Sequence, residues 1–257
     1  MRVSVVVPCF NSAAYVSEAF ASVVGQHLPG CELVLIDDGS TDDTVERIEQ
    51  LIATTPLPTQ FARQANAGVA AARNAGISLA RGEFIVPLDA DDLLAPGFLQ
   101  AALAAAQATD ADIVFPDRLE FGDIDRLCRA GPFELERLKR FNQLSYCGLY
   151  KRSLWRKLGG YRSNVSGFDD WDFWIGAAAS GARALHLAGY PFRHRRRAGS
   201  QVHAVRTRYD TLYAQIILNH PRVFAAERER ALAVLRGESD FRTERWLFDT
   251  HYMGVVA

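Results

Sequence analysis

The chain is predicted to fold as an open, mostly parallel α/β sheet with helices on both faces. Three observations carry that expectation. Short apolar runs alternate with amphipathic segments up to about residue 116, joined by short connections. The first run, Arg2 to Pro8 (RVSVVVP), is almost continuously β-branched, the mark of a strand buried on both faces. Polar clusters, Phe10-Asn11, Asp37-Asp38, Gln64 to Asn66 and Asp89 to Asp91, fall one at each strand end, where such sheets bind ligands.

After the first strand, Cys9 to Ser12 forms a turn in which Asn11 or Ser12 is placed to cap a helix from about Ala13 to Gln26. A second strand, Glu32 to Ile36, ends on Asp37-Asp38-Gly39-Ser40 and leads to a helix over Thr44 to Ile52. A third is expected at Thr59 to Arg63, then a loop at Asn66 to Gly68 and a helix reaching Ala80. The fourth, Phe84 to Leu88, runs into Asp89, Asp91 and Asp92 before a helix over Gly97 to Ala108. A fifth strand, Asp112 to Phe115, completes the alternation. Carboxylates crowded at a strand tip repel one another, and two readings are open for them. Either Asp91 or Asp92 caps the next helix while Asp89 closes an Asx-turn, or a divalent metal carrying a phosphorylated ligand sits there. Polar clusters at four successive strand ends favour the ligand.

Beyond Pro116 the alternation stops. Residues 117 to 142 are irregular and charged, a hairpin or a mobile loop. Leu149 to Leu158 reads as a short amphipathic helix ended by Gly159-Gly160. A further helix within Gly167 to Ala182 opens on Asp169, Asp170 and Asp172. Acidic groups in a first turn complement the helix dipole. Three of them beside Trp171 and Trp174 exceed that need, and aromatic faces next to carboxylates suit a sugar ring. Arg183 to Leu187 and Tyr190 to Arg197 read as two strands. The basic run Arg193 to Arg197 is a solvated face by default, with phosphate binding through guanidinium forks as the alternative. Residues 205 to 257 are expected to be helical, packing through Tyr209, Leu212, Ile216, Ile217, Val223, Leu232 and Leu235.

Composition removes whole classes of function. A net charge of −1 offers no global field for nucleic acid. No apolar run reaches membrane-spanning length, and the N-terminus opens on a strand pattern rather than a signal peptide. The four cysteines lack metal spacing and are read as reduced packing residues of a cytoplasmic protein. DDGSTDDT fails as a calcium loop, because its glycine comes too early, and GxGxxG is missing after the first strand.

With these residues assembled, the chain resembles the family 2 glycosyltransferases of the GT-A fold. VVVPCFN, LVLIDDGSTDDT, NAGVAAARNAGI, GEFIVPLDADDLL and GFDDWDFW occur in the family's order and cover roughly residues 2 to 180. The resemblance implies a nucleotide-sugar-binding half at 1–116, an acceptor-binding and catalytic-base half at 117–204, and a helical extension at 205–257. It implies that Pro8, Phe10 and Asn11 belong to the nucleotide site and that Asp38 accepts a hydrogen bond from a ring N–H of the base. Uracil, thymine and guanine carry that donor, so a UDP-, dTDP- or GDP-sugar is expected. Arg73 would lie near the donor. Asp91 of the Asp89-Ala90-Asp91 motif would bind Mn²⁺ or Mg²⁺ on the diphosphate, with Asp89 on the ribose or assisting and His203 a further ligand candidate. Asp170 would be the general base, with Asp169 and Asp172 as alternates and Trp171 and Trp174 facing the acceptor. The acceptor would be a saccharide or a lipid-linked molecule, and the basic run with the amphipathic C-terminal segment leaves open a peripheral association with the inner face of the membrane. A nucleotide-sugar-binding subunit without turnover and a glycoside hydrolase are the competing readings.

Overall fold

The computed structural model describes residues 1–196 and 205–249. One eight-stranded sheet runs through the molecule in the order β3-β2-β1-β4-β7-β5-β6, with β8 on the other edge of β5. The first four strands, β1 (Val3–Cys9), β2 (Cys31–Asp37), β3 (Thr59–Arg63) and β4 (Phe84–Pro87), are parallel and lie within two residues of their predicted bounds. Every residue of β1 and β2 is buried, because each face of the sheet is covered by its own core. Val6, Val34, Ile36 and Ile85 point to one core; Val5, Val7, Leu33, Leu35 and Val86 point to the other, the two-residue alternation of a strand. Helices α1 (Val16–Val24), α2 (Thr44–Thr54) and α4 (Phe98–Thr109) cover the second face, and α3 (Val69–Leu79) covers the first. α3 approaches β1 so closely that a Cβ at Gly76 would collide with the Val6 side chain.

The second half departs from the sequence reading in instructive ways. β5 (Ile113–Gly122) does not stop at Phe115; it continues through Pro116 and forms a hairpin with β6 (Arg126–Cys128). After the short helix α5 (Leu135–Leu138), Leu149–Lys151 is not helical but forms β7, inserted antiparallel between β4 and β5. Only Arg152–Leu158 makes the helix, α6. Three residues are too short a strand for periodicity to reveal. Helix α7 (Asp169–Ala179) then leads to one strand, β8 (Ala184–Arg196), rather than two. It pairs in parallel with β5, and the register shifts between Pro116 and Arg118.

Helix Tyr209–Asn219 packs on α7, where Tyr213 stacks on Trp171, and Arg228–Leu235 packs in turn on Tyr209–Asn219, with Arg242–Phe248 following. Tyr209, Leu212, Ile216 and Ile217 are buried as expected. Leu235 is exposed instead, its helix presenting Ala231 and Val234 inward. Among the described residues no helix is long and apolar enough to cross a membrane. All four cysteines are free, and Cys9, Cys31 and Cys147 are buried.

Candidate functional site

The carboxyl ends of β1 and β4 are neighbours in a sheet whose chain moves from β1 to β2 on one side and reaches β4 on the other. That reversal opens a crevice at the strand ends. A cavity of about 560 Å³ fills it. Pro8, Phe10, Asp38, Arg73, Asp89, Ala90, Asp91, Asp169, Asp170 and Trp171 all line its wall. Residues from five separate segments therefore face one space.

Asp38 is held at the end of β2 by its N–H, which donates to the Cys9 carbonyl at 2.8 Å. Its buried carboxylate accepts from Gln64 Nε2 (2.7 Å) and from the N–H groups of Ala67 (2.9 Å) and Gly68 (2.8 Å). Gly68, at φ +87°, supplies the left-handed turn that brings its own and the preceding N–H to the same side chain. Asp38 thus shapes the loop before α3 as well as facing the cavity. Asn11 is not on the cavity wall. Its N–H donates to Ser40 Oγ and its Oδ1 accepts from Thr41, so it ties the β1 loop to the β2 loop. Nor does Asn11 or Ser12 cap α1 with its side chain.

The strand-tip carboxylates divide their work. Asp92 is buried, accepting from Tyr146 Oη (2.6 Å) and the Arg195 N–H (2.7 Å). Burial, with the charges of Asp91 and Asp89, pushes its carboxyl well above the ordinary range. Asp89 donates its N–H to the same Tyr146 oxygen at 2.8 Å, so one phenol ties Asp89 to Asp92. Asp89 Oδ1 accepts from Arg73 Nη2 at 2.6 Å, and the other arm of that guanidinium, Nη1, reaches Asp169 Oδ2 at 2.5 Å. Arg73 is 4% exposed and lies over the rings of Tyr146 and Tyr161. It clamps the β4 tip to the first turn of α7.

Asp170 follows directly, half-buried, with Oδ2 accepting from Asn142 Nδ2 at 3.1 Å. Burial and the neighbouring charge of Asp169 push its carboxyl up to about 7. Asp172 points elsewhere and does not line the cavity. Its buried oxygens accept from Arg162, Asn219 and His220 at 2.8 to 3.0 Å, joining α7 to the C-terminal helices. Although burial opposes it, these partners hold its carboxyl below the ordinary range. As an alternate base Asp172 is therefore withdrawn. Trp174 is withdrawn as an acceptor platform, being packed in the core against Tyr150 and Phe173. Trp171 does reach the cavity wall, but it is 2% exposed. Its indole N–H donates to the Leu138 carbonyl and its ring stacks on Tyr213.

From Arg193 to Arg196 the basic run is no solvated face. Arg195 Nε donates to the Asp91 carbonyl and Nη2 to Glu18, while Arg193 and Arg195 lie over Phe121. His194, Arg195 and Arg196 all line the cavity. His203 and Arg197 lie outside the described residues. The sequence reading missed Asn142, Ser145, Tyr146 and Arg118, which enter the same wall from irregular or unassigned segments.

Among the described residues, no three His, Cys, Asp or Glu side chains cluster as a ready metal site. Asp89 and Asp91 nonetheless offer hard oxygen donors on the cavity wall; burial first, and then the charge of Asp91, raises the carboxyls of both Asp89 and Asp92, with Arg73 opposing the rise at Asp89. That surplus of negative charge suits Mg²⁺ or Mn²⁺, ions that take one or two carboxylates and complete their shell with water and phosphate oxygens.

Residues 4–166 match the family model described as glycosyl transferase family 2. Chondroitin synthase from Escherichia coli is 26% identical over 201 residues, which is 75% of this chain and 27% of that protein. Across the first four curated relatives the matches span 19% to 41% of their length, so the chain corresponds to less than half of each. Staphylococcus aureus TarS 1–349 in complex with UDP superposes with TM-score 0.66 at 25% identity, covering 85% of this chain and 66% of that one. The Pyrobaculum calidifontis mannosyltransferase PcManGT, in complex with GDP-Man and Mn²⁺, gives TM-score 0.65 at 22% identity over 99% of this chain and 81% of its own. The architecture is thus the GT-A type expected.

Proposed function

The chain belongs to glycosyl transferase family 2, and from that premise we propose that it moves a sugar from a nucleoside-diphosphate donor to an acceptor hydroxyl with inversion. The observation that carries this reading is the Arg73 clamp, which sets the Asp89-Ala90-Asp91 tip and the Asp169-Asp170 pair on one cavity. The nucleotide occupies the β1–β2 end, between Pro8, Phe10 and Asp38. Asp38 Oδ2 accepts one backbone bond, so it is the oxygen with room for a base N–H. The diphosphate lies along Asp89 to Asp91, where a divalent ion held by Asp91 and Asp89 would supply Lewis-acid stabilisation of the leaving group.

Asp170 takes the acceptor proton as that oxygen attacks the anomeric carbon in a single displacement. Asn142 orients its carboxylate. Arg73 compensates Asp169, leaving Asp170 as the carboxyl whose affinity for a proton is raised toward neutrality. Walls that keep donor and acceptor in line provide much of the remaining acceleration. A role in cell-surface polysaccharide or glycoconjugate synthesis accords with the likeness to chondroitin synthase.

The reading is tested by thermal shift with UDP-, dTDP-, GDP-, CDP- and ADP-sugars, each with and without Mn²⁺. Donors whose base carries a ring N–H should stabilise the protein, by about 2.7 kcal/mol at a hundred times Kd, and more with the metal. No shift with any donor would overturn the transferase reading. Equal shifts with CDP- and ADP-sugars would overturn the role of Asp38 alone.

A further inference from the structure

The cavity holds a second concentration of charge that the transfer step leaves unused. Along the parallel pair β5 and β8, Arg118 stands opposite Phe192, Glu120 opposite His194 and Gly122 opposite Arg196. Strand alternation sends Arg118, Glu120, Phe192, His194 and Arg196 to one face, while Arg195 turns to the other, toward Asp91 and Glu18. Arg118, Phe192, His194 and Arg196 line the cavity, as does Ser145 from the segment before β7.

Glu120 is fully buried and shared by three guanidinium groups. Arg126 Nη2 lies 2.7 Å from it, Arg118 Nη2 3.3 Å and Arg196 Nη1 4.0 Å. Arg118 and Arg196 are themselves 8% and 7% exposed. Burying several cations around one carboxylate is costly unless further negative charge joins them. Two neutral groups share the cavity wall with these cations. Burial, then the charges of Arg118 and Arg196, hold His194 down to about 3, so its ring is uncharged. Its Nδ1 is buried and makes no hydrogen bond, and Ser145 Oγ, on a residue 5% exposed, makes none either. Such orphaned polar atoms are few in folded proteins.

Taking the transferase reading as its basis, we propose that Arg118, His194, Arg196 and Ser145 form an anion subsite for a phosphate or carboxylate carried by the acceptor, separate from the donor's diphosphate. Its oxygens would accept from the two guanidinium groups, from the Ser145 hydroxyl and from a ring N–H of His194. An acceptor bound by its own charge would be held with its hydroxyl toward Asp170 on the same wall.

Inorganic phosphate titrated calorimetrically into protein saturated with UDP and Mg²⁺ tests this. Phosphate should bind the UDP-saturated protein, and Arg196→Gln should weaken phosphate about tenfold, the loss of one charge-assisted hydrogen bond, with UDP affinity changed less than twofold. Ser145→Ala is too small a change to threaten folding and should weaken phosphate severalfold. Exclusion of phosphate by UDP, parallel loss of both ligands, or indifference to both substitutions would overturn the subsite. A protein that binds phosphate in this way but never UDP fails as a transferase while keeping the subsite. The source of the anion is read by comparing a polyol phosphate with the free polyol as acceptors, and UDP-glucuronate with UDP-glucose as donors. The phosphorylated acceptor should be preferred; a preference confined to the donor pair would overturn the assignment to the acceptor.

Discussion

The two halves of this molecule place functional carboxylates by different means. In the half formed by β1 to β4, strand register does the placing. Asp38 and Asp89 follow the last residues of buried parallel strands, and backbone hydrogen bonds such as Asp38 to Cys9 fix where they emerge. In the half after β5, side chains do it. The first turn of α7 is held from one side by Arg73 and from the other by Arg162, Asn219 and His220. A site built on strand ends survives the loss of one side chain, whereas a site built on buried ion pairs depends on each of them.

The largest test of this contrast is a pair of substitutions, one on each side of the Arg73 clamp. Asp170→Asn should lower transfer by about 10²–10⁴-fold, the usual contribution of a positioned general base, with donor affinity nearly unchanged. Asp91→Ala should instead weaken metal-dependent donor binding, by tenfold or more, so that the Kd measured with Mn²⁺ approaches the value in chelator. If Asp170→Asn still turns over in a single-turnover assay, the base lies elsewhere and Asp169 is next to examine. If both substitutions damage binding and chemistry alike, the halves do not divide the reaction.

The clamp itself is the next largest effect. Arg73→Met keeps the bulk but leaves Asp89 and Asp169 without their shared counter-charge. Breaking a buried ion pair from one side costs about 3–5 kcal/mol, and denaturant unfolding should show a loss in that range. Strand register keeps Asp89 at its post, so donor binding to the surviving folded fraction should fall less than transfer does. A loss below about 1 kcal/mol, the scale of exposed pairs, would mean that the α7 turn is held by its other partners.

What the sequence discloses follows the same division. Parallel strands buried on both faces leave continuous apolar runs, and their polar tips stand out against them; β1 to β4, Asp38 and the Asp89-Ala90-Asp91 motif were legible for that reason. The three-residue β7 carries no period, and β5 passes through Pro116, a residue that ordinarily argues against a strand. Tyr146, which bonds Asp89 and Asp92 at once, comes from an irregular stretch where no pattern marks it. The acidic triplet on α7 was visible, but its division of labour was not. Helical spacing turns Asp172 away from Asp170, and the partners awaiting it at Asn219 and His220 are some fifty residues further on. The basic run was read as solvated because charge runs usually are; only the pairing of β8 with β5 brings Glu120 and the cavity beneath it.

The smallest expected effect concerns pH and separates Asp170 from the rest of its helix turn. Its carboxyl is raised to about 7, first by burial and then by Asp169, so the base form gains population through neutrality. kcat/KM should therefore rise about tenfold per pH unit below that value and level off above it. The same shift acts on stability with the opposite sense. Well below pH 4, the carboxyl is protonated both folded and unfolded, and it costs the fold nothing. Between there and pH 7 the folded protein retains a proton that the unfolded chain releases, so stability from this group falls as pH rises. Asp170→Asn, a neutral amide in the same place, should raise Tm at pH 8 by more than at pH 4, while abolishing the rise in rate. Asp172, whose carboxyl is held low by its partners, should show the reverse: Asp172→Asn should lower Tm more at pH 7 than at pH 3. Two carboxylates two residues apart on one helix, one destabilising and reactive and the other stabilising and inert, would then be told apart by the sign of a single melting experiment.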